Sequence, residues 1–165
     1  GILFNHESPF RDVEYVTRKI TTGFAQIKAN NIPFIELGNI DARRDWGHAE
    51  DSTKGMCLIL NHTCSDDYVL ATGEEHSVRE FVTLAASVCG WNPEWVGQDI
   101  GEGCFDRNTG KQLVKIDPKQ FRPVDVQVSL GDSRKARQTL GWTPKWNFQE
   151  LVVEMMEADL ERIRY

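Results

Sequence analysis

Long apolar runs and a surplus of positive charge are both missing from this 165-residue chain. The apolar run at residues 56–60 is far shorter than the roughly 20 residues that cross a bilayer as a helix. Asp and Glu number 25 against 19 Lys and Arg, which gives a net charge of −6. Nucleic acids and anionic membranes are bound by basic surfaces. The composition therefore argues against nucleic acid and membrane as partners.

Cysteine is sparse, and no C-x-x-C pair occurs. The spacing of Cys57, Cys64, Cys89 and Cys104 favours reduced thiols in a cytoplasmic protein over a disulfide framework. His62 lies near two of these cysteines, but a tetrahedral zinc site requires four ligands at tighter spacing. We therefore predict no metal site.

Strand and helix patterns alternate through one region, residues 1–165, without a linker or an internal repeat. This alternation predicts an α/β fold with parallel strands. Strands are predicted at residues 1–4, 34–37, 68–71 and 113–116, helices at 13–30, 48–60, 77–90, 133–140 and 147–164, and loops at 41–46 and 97–111. Residues 1–4 are apolar on both faces, as in a buried strand of a larger sheet. We therefore expect the chain to begin inside a domain.

Several residues have a clear structural interpretation. Ser77, followed by Glu80 three residues later, forms a capping box at the start of a helix. Trp142 is predicted to fill the core where a helix ends. Met155 and Met156 are predicted core residues of the last helix.

Polar side chains follow the first predicted strand. The carboxyl ends of parallel strands are where open α/β sheets bind ligands. Asn5 suits the hydroxyl groups of a sugar, whereas His6 and Arg11 suit a phosphate or a ribose. From position alone, a ligand-binding loop and an ordinary turn capped by Asn5 are equal alternatives.

Two adjacent arginines, Arg43 and Arg44, form a second candidate site, because guanidinium groups bind phosphate through paired hydrogen bonds. Asp45 is expected to orient one of them, and Trp46 to provide a flat wall. A solvated arginine pair bridged to Asp45 is the alternative. Arg122, beside a proline, is a weaker third candidate.

Two cations, Arg18 and Lys19, are predicted near the start of a helix, where the helix dipole opposes positive charge. A bound anion would explain them. A carboxylate neighbour such as Glu14 is the ordinary structural alternative.

Sequence motifs extend along the whole chain. They are Asn-His-Glu-Ser-Pro at 5–9, Val-Thr-Arg-Lys-Ile at 16–20, Leu-Gly-Asn at 37–39, Arg-Asp-Trp-Gly-His-Ala-Glu-Asp at 44–51, Ala-Thr-Gly-Glu at 71–74, His-Ser-Val-Arg-Glu-Phe at 76–81, Phe-Arg-Pro at 121–123, Gly-Asp at 131–132 and Leu-Gly-Trp-Thr-Pro at 140–144. In this order the motifs resemble the GDP-mannose 4,6-dehydratase family of extended short-chain dehydrogenase/reductases. The first motif resembles the GDP-mannose branch in particular.

The resemblance implies an NADP-dependent lyase with a Rossmann-type fold and a smaller carboxyl-terminal substrate lobe. The family converts GDP-mannose to GDP-4-dehydro-6-deoxymannose, the precursor of GDP-fucose and related deoxysugars. In its mechanism, hydride leaves sugar C4, water is lost across C5 and C6, and hydride returns to C6. The family's base is the Tyr of a Tyr-x-x-x-Lys motif, assisted by Thr or Ser and by a Glu.

The family's glycine fingerprint and its catalytic Tyr-x-x-x-Lys do not occur in this sequence. Tyr15 and Lys19 have the right spacing, but they fall on a different helix in the family's order. The chain is therefore expected to be the carboxyl-terminal half of such an enzyme, with the last Rossmann elements interleaved with the substrate lobe. We expect the amino-terminal half as its partner, no catalytic residue in this chain and no turnover by the chain alone.

By match to the family motifs, Asn5, Lys19, Arg44 and Arg122 are expected to bind GDP-mannose, and His6 and Arg11 to bind NADP. Residues 10–12 read Phe-Arg-Asp, where the family usually has two arginines and a glycine in a loop that reaches a neighbouring subunit's cofactor. The full protein is expected to be a homo-oligomer, and NAD remains an alternative to NADP. Another nucleotide-sugar dehydratase or epimerase, and a non-catalytic GDP-sugar-binding module, are the alternative functions.

Overall fold

The computed structural model describes residues 1–121 and 126–163. The helices in this part of the chain are α1 (Val16–Lys28), α2 (Ala49–Leu60), α3 (Val78–Val88), α4 (Arg134–Leu140) and α5 (Phe148–Ile163). The strands are β1 (Ile2–Leu3), β2 (Asn5–Glu7), β3 (Ile35–Leu37), β4 (Arg43–Arg44), β5 (Trp46–His48), β6 (Val69–Leu70), β7 (His76–Ser77), β8 (Pro93–Val96), β9 (Gly103–Asp106), β10 (Gln112–Ile116) and β11 (Val128–Ser129). Short 3₁₀ turns cover Asp99–Gly101 and Pro118–Gln120. The predicted α/β class and all five predicted helices are confirmed.

Capping residues begin and end the helices where the sequence indicates. The Ser77 side chain accepts a hydrogen bond from the Glu80 backbone N–H, and the Glu80 carboxylate accepts one from the Ser77 backbone N–H, so the predicted capping box is confirmed. Gly141, at φ +64°, follows α4 in the left-handed conformation that glycine adopts without strain.

The strands form four small sheets within the described residues. β1 pairs with β6, and β2 with β5, in both cases parallel. β4 lies between β11, which is parallel to it, and β7, which is antiparallel. The largest sheet has the order β3-β10-β9-β8, with a parallel β3–β10 pair and antiparallel neighbours beyond it. The four predicted strands, now β1, β3, β6 and β10, form parallel pairs as expected. Each antiparallel pair includes a strand that was not predicted from the sequence, so the sheets are mixed.

The prediction of one long loop over residues 97–111 is wrong. This stretch contains β9, the middle strand of the β8–β9–β10 meander, and its buried residues include Cys104 and Asp106. Asp106, at the end of β9, organises the turn that follows. Its carboxylate accepts hydrogen bonds from the Asn92 backbone N–H at 2.9 Å and from the Thr109 hydroxyl at 2.6 Å.

A second predicted loop, residues 41–46, carries β4 and the first residue of β5. These strands are too short to show an alternating pattern, and β4 consists of two arginines. Their extended conformation comes from pairing with distant partners, β11, β7 and β2, which local sequence does not reveal.

The first strand is parallel, as predicted, but it is not buried. β1 pairs with β6 in a sheet of two strands, and Ile2 is 53% exposed. The apolar side chains of residues 1–4 are thus only partly buried within the described structure.

The main core lies where α1, α3 and α5 pack against one another and against the β3-containing sheet. Met155 and Met156 are fully buried in it, as predicted. A second cluster contains Tyr68, Leu70, Ala136 and Trp142. The Trp142 indole N–H donates to the Asp51 carbonyl at 2.9 Å, which confirms its interpretation as a core residue.

Candidate substrate and cofactor site

Strand pairing places one predicted substrate residue, Asn5, opposite a residue that closely follows another, Arg44, although the two lie in different sheets. Asn5 opens β2 and lies opposite Trp46 of β5. Arg44 ends β4, two residues before Trp46 along the chain. Both Asn5 and Arg44 are half-buried. The pairing of β2 with β5 therefore places Asn5 close to the arginine segment, although 38 residues separate Asn5 from Arg43 in sequence.

Arg44 is held by backbone carbonyls. Its Nη1 donates to the Arg43 carbonyl at 2.8 Å and to the Val126 carbonyl at 2.5 Å. These contacts fix one side of the guanidinium, and Arg44 makes a further contact as well. The group is positioned before any ligand binds.

Lys19 lies on α1 at the wall of a groove of about 570 Å³ between α1 and β3. Its Nζ donates to Gln120 Oε1 at 2.5 Å. Burial lowers the pKa of Lys19, while the nearby Glu36 and Asp117 carboxylates raise it. The groove wall therefore presents a cation with two carboxylates nearby.

Lys19 and Arg44 contact residues on the two sides of residues 122–125. Lys19 bonds to Gln120, and Arg44 bonds to Val126. Arg122, the remaining predicted substrate residue, lies outside the described residues.

The two predicted cofactor residues lie around Glu7, which is 1% exposed. His6 Nδ1 is 2.9 Å from the Phe4 carbonyl oxygen. The Arg11 guanidinium lies 3.5 Å from the centre of the Tyr15 ring, and its Nε is 3.4 Å from Glu7 Oε2. Burial raises the pKa of Glu7, although the Thr17 hydroxyl, Arg11 and His6 each favour its charged form.

Asp45 does not have the orienting role predicted for it. Its two carboxylate oxygens accept four hydrogen bonds, from the Thr72 backbone and hydroxyl and from the Gly73 and Gly131 backbones, at 2.6–3.3 Å. Four donors fill the acceptor sites of a carboxylate. Asp45 therefore joins three chain segments beside the arginines rather than directing Arg44.

The expectations for Arg43 and Trp46 are also wrong. Arg43 is not simply solvated or bridged to Asp45, because its Nε donates to Glu75 Oε1 at 2.8 Å. Trp46 is 2% exposed and packs in the core against Phe81 and Phe148. It is therefore a structural residue and not an exposed wall for a ligand.

Arg18 has a carboxylate partner, but that partner is Asp159 of α5 and not Glu14. Arg18 Nε and Nη2 donate to the two oxygens of Asp159 at 3.1 and 2.9 Å. Sequence reasoning missed this pair. The available signal was a charge on the buried stripe of α5, since Asp159 follows Val152 and Met155 at helical spacing.

Cys57, Cys64, Cys89 and Cys104 are free thiols. Burial raises the pKa of the Cys89 and Cys104 thiols to about 12, so these two are poor nucleophiles. Within residues 1–121 and 126–163, no group of three His, Cys, Asp or Glu side chains is arranged to hold a metal ion. Across the same residues, no helix has the length and apolar content needed to span a membrane.

Known proteins share both the sequence and the fold. The family profile described as GDP-mannose 4,6 dehydratase matches residues 1–155. A GDP-mannose 4,6 dehydratase of Drosophila melanogaster is 48% identical over 164 residues, covering 99% of this chain and 42% of the relative. The human GDP-mannose 4,6 dehydratase is 46% identical, with 99% and 44% covered. The chain thus spans less than half the length of these curated relatives.

Solved structures agree on the fold. RMD from Pseudomonas aeruginosa, complexed with NADPH, superposes with a TM-score of 0.77 at 19% identity, covering 97% of this chain and 47% of that one. A dTDP-glucose 4,6-dehydratase from Bacillus anthracis, in complex with NAD, gives a TM-score of 0.72 at 15% identity, with 99% and 44% covered. From the sequence motifs, the family profile and these relatives, the chain belongs to the GDP-mannose 4,6-dehydratase family.

Proposed function

We propose that this chain is the substrate-binding part of an NADP-dependent lyase that converts GDP-mannose to GDP-4-dehydro-6-deoxymannose. The observation that carries the proposal is the 48% identity over 164 residues to a protein bearing that enzyme name. The whole enzyme requires the amino-terminal, cofactor-binding half as a partner, and we propose that the full protein forms a homo-oligomer. Its free thiols suit a reducing, cytoplasmic location.

The cations of the site provide the attraction for the substrate. GDP-mannose carries about two negative charges, and a chain with a net charge of −6 cannot attract it globally. Lys19 and Arg44 are cations that bind residues on either side of residues 122–125, through Gln120 and Val126. We assign the diphosphate to these two residues and to Arg122, and the sugar hydroxyls to Asn5. The groove beside Lys19 falls in the size range of small-molecule sites.

The residues around Glu7 fit a phosphate-bearing cofactor. Arg11 Nε faces the buried Glu7 at 3.4 Å, while the Arg11 side chain as a whole is 22% exposed, so part of its guanidinium can be reached by a ligand. A guanidinium held against Tyr15 and near Glu7 presents a fixed cation that suits a phosphate of NADP. When bound, NADP supplies hydride acceptance and return. In this chain, Arg11 would bind the phosphate and His6 would lie beside it.

Turnover by the full-length protein tests the proposal. The protein is incubated with NADP or NAD and with GDP-mannose, dTDP-glucose or UDP-glucose in parallel, and the 4-keto product is measured by mass spectrometry. We expect product from GDP-mannose, and more of it with NADP than with NAD. Product from another nucleotide sugar alone, or binding of GDP-mannose without product, would reject the proposal.

The 165-residue chain by itself is the matched control. We expect no multiple turnover, because general acid–base catalysis and cofactor positioning each supply several powers of ten in rate and this chain carries neither the family's base nor its glycine fingerprint. Repeated turnover by the pure chain would show that its catalytic residues lie among these 165.

A further inference from the structure

Arg18 bridges the last helix to the loop that carries Arg11. One edge of the guanidinium, Nε and Nη2, binds the Asp159 carboxylate of α5. Its Nη1 donates to the carbonyls of Pro9 and Arg11, at 2.5 and 2.7 Å. Arg18 and Asp159 are 6% and 2% exposed. A buried guanidinium therefore connects two parts of the chain that are about 150 residues apart.

The orientation of Arg18 is set by a saturated carboxylate. Besides Arg18, the Asp159 carboxylate accepts hydrogen bonds from the Thr21 hydroxyl at 2.6 Å, the Thr22 hydroxyl at 3.3 Å and Arg162 Nη1 at 2.7 Å. These donors fix the carboxylate plane, and the planar guanidinium must follow it. Nη1 is then directed at the loop and cannot rotate away without losing the bonds to Asp159.

The loop at residues 8–12 has other contacts besides Arg18, but none of them binds the backbone on both sides of Phe10. Pro9 is buried, and the Arg11 side chain lies against Tyr15 and near Glu7. Asp12 accepts hydrogen bonds from the backbone N–H groups of Glu14 and Tyr15.

The internal bonds of this loop are a turn from the Arg11 backbone N–H to the Ser8 carbonyl and a bond from the Phe10 backbone N–H to the Ser8 hydroxyl. Phe10 is 90% exposed, and its ring centre lies 6.0 Å from the Arg162 guanidinium. The two carbonyls bound by Arg18 lie immediately before and after Phe10, so this contact fixes the backbone on both sides of it.

We infer that Asp159 is a positioning residue for the loop at residues 8–12, acting through Arg18. The role of the loop in cofactor binding rests on the proposed function, but the positioning itself does not. Chymotrypsin cleavage after Phe10 reports it directly, because a protease must draw out the backbone that Arg18 holds. The assay contains no cofactor, so its failure is separate from a failure of the proposed function.

The experiment follows cleavage of the 165-residue chain by mass spectrometry, with the bond after Phe121 as internal reference. Phe121 is 46% exposed, and the Phe121–Arg122 bond joins the same residue types as the Phe10–Arg11 bond. In Asp159→Asn and in Arg18→Lys, cleavage after Phe10 should rise roughly tenfold relative to that after Phe121, the factor expected from losing a hydrogen bond to a charged group. Asp159→Glu should restore part of the protection. Asp66→Asn, which alters an exposed ion pair with Lys135, should leave the ratio unchanged.

Equal acceleration at Phe10 and Phe121 would mean global unfolding and would overturn the inference, as would an unchanged ratio in both folded variants. If neither variant folds, the wild-type chain provides the test. In the wild type, cleavage after Phe10 should be slower than after Phe121, although Phe10 is the more exposed of the two phenylalanines. Faster cleavage after Phe10 would show that Arg18 does not hold the loop.

Discussion

Glu7 is a buried carboxyl group beside the candidate cofactor residues, and its charged form lowers the stability of the fold. It accepts a hydrogen bond from the Thr17 hydroxyl at 2.7 Å and lies 3.4 Å from Arg11 Nε. Burial nevertheless raises its pKa above the ordinary 4.5. Because the folded state then binds the proton more tightly than the unfolded chain, the contribution of Glu7 to stability falls as the pH rises from about 4.5 through the folded-state pKa.

Replacing Glu7 by Gln should remove this pH dependence while keeping the shape and one oxygen acceptor for Thr17. We expect the unfolding free energy of Glu7→Gln, minus that of the wild type, to increase with pH above 4.5 and then level off. Urea titrations across pH 4 to 8 measure it. Glu94→Gln, in an exposed ion pair with Arg107, is the control and should give a nearly constant difference. A difference that shrinks as the pH rises would contradict the raised pKa.

Arg44 is the residue on which the assignment of the diphosphate depends most. Arg44→Lys keeps the charge but loses the planar donor pair. In the full-length protein we expect GDP-mannose binding to weaken by about 1.5–3 kcal/mol, the range for hydrogen bonds to charged groups. Calorimetric titration at one salt concentration measures the change.

Arg134→Lys is the matched control for that titration. Its side chain is 82% exposed and pairs with Asp132 two residues away, so its replacement should cost well under about 1 kcal/mol. Arg43 is a poorer control than its sequence position suggests, because its ion pair with Glu75 is disturbed by the same substitution. Equal losses for Arg44→Lys and Arg134→Lys would remove Arg44 from the site.

For single residues, the sequence predicted the structural role better than the residues in contact with it. Trp142, Met155 and the Ser77–Glu80 capping box could be predicted because packing and capping depend on local spacing. The partners of Asp45 and Arg18 could not, because Gly131 and Asp159 reach them from segments 86 and 141 residues away. Motif resemblance named the candidate site residues without revealing which of them touch.

Among the elements, the junction of β1, β6 and β11 depends on one glycine. A Cβ added at Gly131, two residues after β11, would lie 2.2 Å from the Ala71 Cβ and 2.9 Å from the Phe4 ring. The Gly131 backbone N–H also donates to Asp45 at 3.3 Å. The segments that follow these three strands therefore meet where only glycine fits.

Gly131→Ala should destabilise the fold by about 1–3 kcal/mol, the usual cost of overpacking a filled site. Gly101→Ala is the matched control, because no atom lies within 4 Å of its added Cβ and its backbone is not left-handed. It should change stability by less than about 0.5 kcal/mol, as expected for exposed sites. Thermal or urea unfolding of both variants measures the two changes in stability. Equal stability of the two variants would show that the segments around Gly131 move apart to admit a methyl group without loss of stability.

Helices and strands could be predicted where a local sequence pattern specifies them. The five helices follow from apolar stripes and caps, and α2 ends at Leu60 as predicted. The short strands β4, β7 and β9 were missed because each is extended through its partners rather than through its own pattern. The arginine site is built on β4, so the part of the fold that positions the candidate site was the part least visible in the sequence.

The molecule as a whole leaves apolar side chains exposed on β1 and α2. Ile2 of β1 and Met56, Leu58 and Leu60 of α2 are 53%, 37%, 40% and 83% exposed. The Gly1 Cβ position lies 3.5 Å from the Ile59 side chain, which places the start of the chain against α2. β1 belongs to a sheet of two strands, so its outer edge is unpaired within the described residues. Such edges and patches promote association.

The isolated 165-residue chain should therefore self-associate through the surface formed by β1 and α2. Light scattering across a concentration series should show a mass above one chain, and Leu60→Lys should shift the distribution towards monomer, because a charge on an apolar contact must be desolvated. Ile100→Lys is the matched control: Ile100 is 67% exposed but lies in the 3₁₀ turn Asp99–Gly101, and the change in net charge is the same. Its mass distribution should match that of the wild type.

A monodisperse wild-type monomer with a sharp cooperative melt would mean that this apolar surface is stable in water. Equal dissociation by both lysines would trace association to net charge and not to the surface of β1 and α2.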